Sequence, residues 1–168
     1  TRSNHCYLVM EMVAGVHLGE LVSKGPLDVP DALSITYDVC IAVRHAHDAG
    51  FMHRDIKPGN VLIDRRARVK VGDFGLARMS RDTDTSRLTR HGWAVGTPHY
   101  IAPEQARGDG TEDHRADIYS IGVMLYQMLT GELPRGIFGS PSSKRKLDKR
   151  LDAIVMKALQ EEPDKRYP

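Results

Sequence analysis

The sequence predicts an α+β domain, mainly α, on three observations. Residues 116–130 are apolar on nearly every helical face, two further segments repeat apolar residues at helical spacing, and only a few short runs suit strands. At 168 residues with 40% hydrophobic content, the chain can bury one core and is too short for two, so a single domain is expected.

Tyr7 to Met12 is an apolar run broken by Glu11 and followed by Gly15, which predicts a buried strand leading into a linker. Asp28, with Asp31 three residues on, reads as a helix start. Leu33, Tyr37, Cys40, Ile41 and Val43 then follow near helical spacing until Gly50 stops the helix. Val61-Leu62-Ile63 and Val69-Lys70-Val71 flank the polar stretch Asp64 to Arg68, the length and composition of a hairpin. Residues 79–94 are polar and rich in Thr and Arg, longer than ordinary connections, and therefore functional or mobile. Ala116 to Thr130, closed by Gly131, is the expected central helix, with Met124 and Met128 as core residues. Leu151, Ile154, Val155, Ala158 and Leu159 predict a last surface helix, and Pro134 to Lys149 before it reads as an exposed connector.

Composition excludes more than it selects. A formal net charge of +2 singles out neither nucleic acid nor an anionic membrane as partner. Lys144-Arg145-Lys146 with Lys149 and Arg150 lacks interleaved aromatics and reads as a solvated basic face. Cys6 and Cys40 form no C-x-x-C pair, which predicts a reducing compartment and free, buried thiols. The longest apolar run, Ile118 to Leu129, falls short of the ~20 residues that span a bilayer. Residues 1–10 carry no secretory signal. His45 and His47 lie two apart on different helix faces, poor metal partners, and take surface and packing roles.

Three segments carry chemistry: His53-Arg54-Asp55-Ile56-Lys57-Pro58-Gly59-Asn60, Asp73-Phe74-Gly75, and Ala102-Pro103-Glu104. If residues 61–63 pair antiparallel with 69–71, Asn60 and Gly72 face each other and Asn60 and Asp73 become neighbours. An amide oxygen and a carboxylate brought together are hard ligands suited to magnesium. Asp55 approaches the same place from the preceding loop. A lone Asp on a loop is usually a capping or solvated residue; the joint occurrence of these segments, in this order, favours a site.

Together the segments resemble the catalytic loop, magnesium-binding motif and activation-segment end of eukaryotic-type protein serine/threonine kinases, bacterial members among them. The resemblance runs from about Tyr7 to Tyr167. It implies a protein-kinase-like fold, here the C-terminal lobe with short β-hairpins at the catalytic cleft. The expected organisation is a partial kinase domain over residues 1–168, hinge strand plus C-terminal lobe. The Gly-rich loop, third-strand lysine and helix glutamate of the N-terminal lobe are absent from the sequence, and no G-x-x-x-x-G-K-[ST] loop replaces them.

The resemblance also implies roles. Asp55 orients the attacking hydroxyl and accepts its proton, Lys57 lends charge to the transferred group, and Asn60 and Asp73 hold Mg2+ on the phosphates of ATP. Met10 is the gatekeeper, the Glu11 carbonyl and Val13 amide bind adenine, and Leu62 lies beneath it. Arg54 and Arg78 form a basic pair for a phosphorylated activation segment, with Thr89 the preferred acceptor over Thr83, Thr85 and Ser86. His53 holds the loop, Glu104 pairs with Arg166, and Asp117 braces the loop backbone. Lys57 and Gly96-Thr97-Pro98 favour Ser or Thr on protein substrates. The expected location is cytoplasmic, free or as part of a membrane-anchored parent. A pseudokinase scaffold and a small-molecule kinase are the rivals; the intact site residues oppose the first, and the long segment ending in Ala102-Pro103-Glu104 opposes the second.

Overall fold

The computed structural model describes residues 9–74, 98–108, 110 and 112–168. Its strands form one antiparallel sheet in the order β1-β2-β3: β1 Gly15–His17, β2 Val61–Asp64 and β3 Val69–Val71. The helices are α1 Leu18–Val22, α2 Val29–Asp48, α3 Pro103–Arg107, α4 Arg115–Thr130, α5 Pro141–Lys144 and α6 Arg150–Ala158. Single 3-10 turns lie at Pro58–Asn60, Pro98–Tyr100 and Pro163–Lys165.

Helix α4 is the centre. Val123, Met124, Tyr126, Met128 and Leu129 are wholly buried, and α2 and α6 pack on it through Val39, Val43, Leu151 and Val155. An apolar helix surrounded on all sides is the arrangement that removes most hydrocarbon from water. Among the described residues no helix is long and apolar enough to cross a membrane.

The hairpin forms with Val61 opposite Val71, Leu62 opposite Lys70 and Ile63 opposite Val69. The first strand differs from expectation. Residues 9–14 form no strand, and Val9 and Met12 are more than nine-tenths exposed (93% and 94%). The free edge of β2 is taken instead by Gly15–His17, in register with Asp64, Ile63 and Leu62. Gly15 sits within this strand because a Cβ there would come within 2.1 Å of the Ile63 carbonyl oxygen. Only glycine permits that approach.

Helix α2 begins after Asp28, with Pro30 in its first turn, although the Asp28 side chain caps no amide. Its buried stripe is Ala32, Ile35, Val39 and Val43. Leu33, Tyr37, Cys40 and Ile41 face outward, so the Cys40 thiol is exposed rather than buried. Both stripes have helical spacing, and periodicity cannot say which one a core covers.

The connector after α4 is packed rather than loose. Pro141 is buried, and the rings of Phe138 and Tyr126 meet edge-on at 5.6 Å. The basic run there is only partly solvated. Arg145 donates to the carbonyls of Leu129 at 2.7 Å and Leu27 at 3.2 Å, satisfying the open end of α4, while Lys144 pairs with Glu132 at 2.9 Å.

Candidate active site

The loop from Phe51 to Lys57 has no regular structure, and its shape comes from outside itself. Asp117, in the first turn of α4 and wholly buried, accepts the amide N–H of His53 on Oδ2 at 2.8 Å and that of Arg54 on Oδ1 at 2.7 Å. Arg54 is held at φ 66°, a left-handed conformation that costs a non-glycine residue about 1–3 kcal/mol and persists only where surrounding bonds impose it. The amide side chain of Gln105, on α3, adds a further bond to the Arg54 carbonyl at 3.1 Å.

His53 ties the loop to the hairpin. Its Nε2 meets the Gly72 carbonyl at 2.9 Å, and its Nδ1 accepts the Asp55 amide at 3.3 Å. One tautomer satisfies both, the neutral ring with its proton on Nε2. The same ring packs against Phe74 at 4.5 Å between centroids.

Asp55, Lys57 and Asn60 converge. Asp55 Oδ2 accepts from Lys57 Nζ at 2.7 Å and from Asn60 Nδ2 at 3.0 Å, and Asn60 Nδ2 also donates to the Asp55 carbonyl at 2.8 Å. Only an amide nitrogen could face two acceptors, so the Asn60 side-chain oxygen Oδ1 points elsewhere, and no described residue donates to it. Asn60 is buried and immediately precedes β2, opposite the residue that follows β3: the Gly72 amide donates to the Asn60 carbonyl at 2.8 Å. Asp73 comes next, exposed, at φ 62°, with no partner among the described residues. The candidate oxygen donors are therefore the Asn60 side-chain oxygen and the carboxylate of Asp73, one residue beyond the Gly72 that bonds Asn60, together with the second oxygen of Asp55. Hard oxygens this few fit a magnesium ion that keeps waters and shares phosphate oxygens, not a cage made wholly of protein. No group of three or more His, Cys, Asp and Glu converges among the described residues.

The other singled-out residues are distributed as follows. Glu104 and Arg166 form a buried bidentate pair at 2.6 and 2.8 Å. Leu62 lies half-buried in β2. Met10 is exposed, and the Glu11 carboxylate reaches Lys70 Nζ at 3.0 Å. Neither the Glu11 carbonyl nor the Val13 amide bonds to another described backbone group. Arg54 Nε is buried without an acceptor. Arg78 and Thr89, with Thr83, Thr85 and Ser86, lie outside the described residues.

Two partners were not foreseen. Gln105 is one. The other is His47, read from sequence as a surface or packing residue, whose Nε2 lies 2.7 Å from Asp117 Oδ2. Its partner is 70 residues away, and no local signature marks the pair. Two apolar grooves flank the loop: one of about 880 Å³ between α2, α4 and α6, the other of about 720 Å³ beside Ile41, Phe51 and Phe74. Neither includes Asp55, Lys57, Asn60 or Asp73.

The structure thus brings together a strained loop clamped to a central helix, an Asp-Lys-Asn cluster and a hairpin that carries Asp73 one residue beyond Gly72. The chain belongs to the protein kinase domain family, whose pattern matches residues 1–167. It is similar to the serine/threonine-protein kinase PknB of Mycolicibacterium smegmatis, 42% identical over 96% of this chain and 28% of that protein. PksC of Streptomyces coelicolor is likewise 42% identical, over 96% of this chain and 32% of the relative. Among solved structures, the PknI kinase domain of Mycobacterium tuberculosis superposes with a TM-score of 0.74 at 26% identity, covering 94% of this chain and 59% of that one. The chain thus spans about three-tenths of the length of these curated relatives.

Proposed function

We propose that the protein is a serine/threonine kinase that transfers the γ-phosphate of ATP to Ser or Thr hydroxyls of protein substrates. The observation that carries this reading is the convergence of Lys57 and Asn60 on one oxygen of Asp55. With Oδ2 engaged, Oδ1 is left to orient the acceptor hydroxyl and take its proton as the oxygen attacks the γ-phosphorus and the bond to the β-phosphate oxygen breaks. The Lys57 ammonium, held on Asp55, would shift to the transferred group and offset its charge. Asn60 and Asp73 would hold Mg2+, which neutralises phosphate charge when bound.

The Glu11 carbonyl and Val13 amide, free of described backbone partners, are suited to adenine, with Met10 and Leu62 bounding the base. The buried, unpaired Arg54 Nε supports a role for that residue, with Arg78, in receiving a phosphate on the activation segment, Thr89 being the favoured position. His53, Asp117 and the Glu104–Arg166 pair act structurally. The cytoplasm, where ATP is supplied, is the compartment this reading requires.

The test is ATP-dependent phosphate incorporation into a generic protein substrate by the full-length protein. Asp55→Asn is expected to lower kcat by about 10²- to 10⁴-fold, the span general-base catalysis supplies. Wild-type turnover in that variant would remove the reading. Undetectable transfer by the wild type together with retained partner binding would make the fold a scaffold instead.

A further inference from the structure

We propose that Arg135, together with His99, reads the protein substrate: the pair binds the carboxylate of an Asp or Glu lying a few residues from the Ser or Thr that accepts phosphate. This deepens the kinase reading above and rests on it.

Arg135 lies in the connector after α4, exposed, and its Nη2 is 2.5 Å from His99 Nε2. A guanidinium has donors only, so Arg135 donates to the imidazole lone pair and fixes the ring as the neutral tautomer with its proton on Nδ1. The remaining guanidinium N–H groups and the His99 Nδ1–H then present donors alone, with one full positive charge among them. No carboxylate of the described residues pairs with Arg135, and the nearest acid of the connector, Glu132, is taken by Lys144 at 2.9 Å. Burial pushes the Tyr100 phenol up, while its bond to Gln127 and the charge of Arg135 pull it down, so the guanidinium acts at this corner of the molecule.

Water alone can satisfy an exposed guanidinium; this one is set apart by the frame that holds it. Tyr100, next to His99, is buried, its carbonyl accepts Ser120 Oγ of α4 at 2.7 Å, and its hydroxyl donates to Gln127 Oε1 at 2.5 Å. Two residues on, the Ala102 amide donates to Gln105 Oε1 at 3.1 Å, and Gln105 Nε2 donates to the Arg54 carbonyl at 3.1 Å. Asp55 follows Arg54. The His99–Arg135 pair and the proposed base are thus fastened to one frame through α4 and Gln105. An extended peptide advances about 3.3–3.6 Å per residue, so a residue a few places from the acceptor is the one that would meet the pair. One permanent cation and a planar fork of donors match a planar, singly charged carboxylate. A phosphate, with nearly two charges, calls for more than one cation, and Lys144 is already engaged.

The experiment uses the full-length protein and Ser peptides in which a single Asp, or its uncharged isostere Asn, is placed in turn at each position flanking the Ser. Transfer is compared as kcat/KM for each Asp–Asn pair, and binding of the same peptides is measured on the Asp55→Asn variant, where no transfer is needed. At one position the wild type is expected to favour Asp over Asn by about three- to tenfold, mostly through KM and less so at high salt. Arg135→Gln should bring that ratio to about one, His99→Ala should reduce it, and Arg135→Glu should turn the preference towards a Lys peptide. Each result is a ratio between two peptides on one protein, so a change in folded fraction cancels. A wild-type ratio of one at every position overturns the proposal, and so does an Asp preference that survives Arg135→Gln or Arg135→Glu. A phosphoserine favoured over Asp at that position, with the same dependence on Arg135, overturns the choice of a carboxylate. Failure of the kinase reading shows separately, as no transfer to any peptide by the wild type while the Asp preference persists in binding.

Discussion

Arg166 uses every donor it has. Nε donates to the Gln160 carbonyl at 2.8 Å, Nη1 to Glu104 at 2.6 Å and the Arg115 carbonyl at 2.9 Å, and Nη2 to Glu104 at 2.8 Å and the Glu161 carbonyl at 3.0 Å. The Tyr119 ring lies 5.0 Å from the guanidinium carbon. Burial, the largest single effect, pushes the Glu104 carboxyl up, but the Arg166 hydrogen bonds, a backbone hydrogen bond and the charges of Arg166 and Arg107 together hold the group below its ordinary range. Removing one partner leaves the other buried and unpaired, so Arg166→Ala is expected to cost about 3–5 kcal/mol in chemical denaturation. Arg166→Lys should recover little of this, because an ammonium cannot make the bidentate fork. The pair was legible only through the family motif. Its members are 62 residues apart, and neither sits in an apolar period that would announce a buried charge. For His47 not even a motif pointed to the partner, and only the packing of α2 on α4 reveals it.

At the scale of elements, the hairpin shows how local chemistry makes a sequence readable. Asp64 accepts the amides of Arg66 at 2.8 Å and Arg68 at 2.9 Å and pairs with the Arg68 guanidinium at 2.7 Å, so the turn is specified by residues inside it. The Arg68 amide, followed by the Arg68 side chain and the Arg66 amide, lowers the Asp64 carboxyl to about 2 against an opposing effect of burial. A depressed carboxylate stabilises the fold fully above its unfolded value, ~3.9, and the contribution fades as pH falls through the lowered one. Asp64→Ala should therefore melt earlier than wild type at neutral pH, and the gap should close between about pH 4 and pH 2 in thermal scans. The hairpin register followed from alternation and turn residues alone, and with it the apposition of Asn60 and Gly72. The strand at Gly15–His17 did not, because its ladder is set by a close approach to Ile63 that no propensity records. Nor did the covered face of α2, where Ala32 and Ile35 were buried in preference to the larger Leu33 and Tyr37.

Across the whole molecule, the proposed function would draw a base from Asp55, a cation from Lys57 and two oxygen ligands from Asn60 and Asp73, with no group among the described residues to cover the phosphates from the opposite side. In kinases, nucleotide grip is shared between two lobes. The 168 residues by themselves are therefore expected to transfer little or no phosphate in an ATP-dependent assay. Robust turnover by them, lost on Asp55→Asn, would contradict this. The central helix α4 has a consequence of its own. Its first turn holds the loop through Asp117, and its remaining length is the middle of the hydrophobic interior. Fold integrity and chemical competence therefore depend on one rod, and warming that slackens its packing must release the strained Arg54 peptide with it. A half-melted protein that keeps the 53–55 loop in its folded shape has no structural basis in such an arrangement.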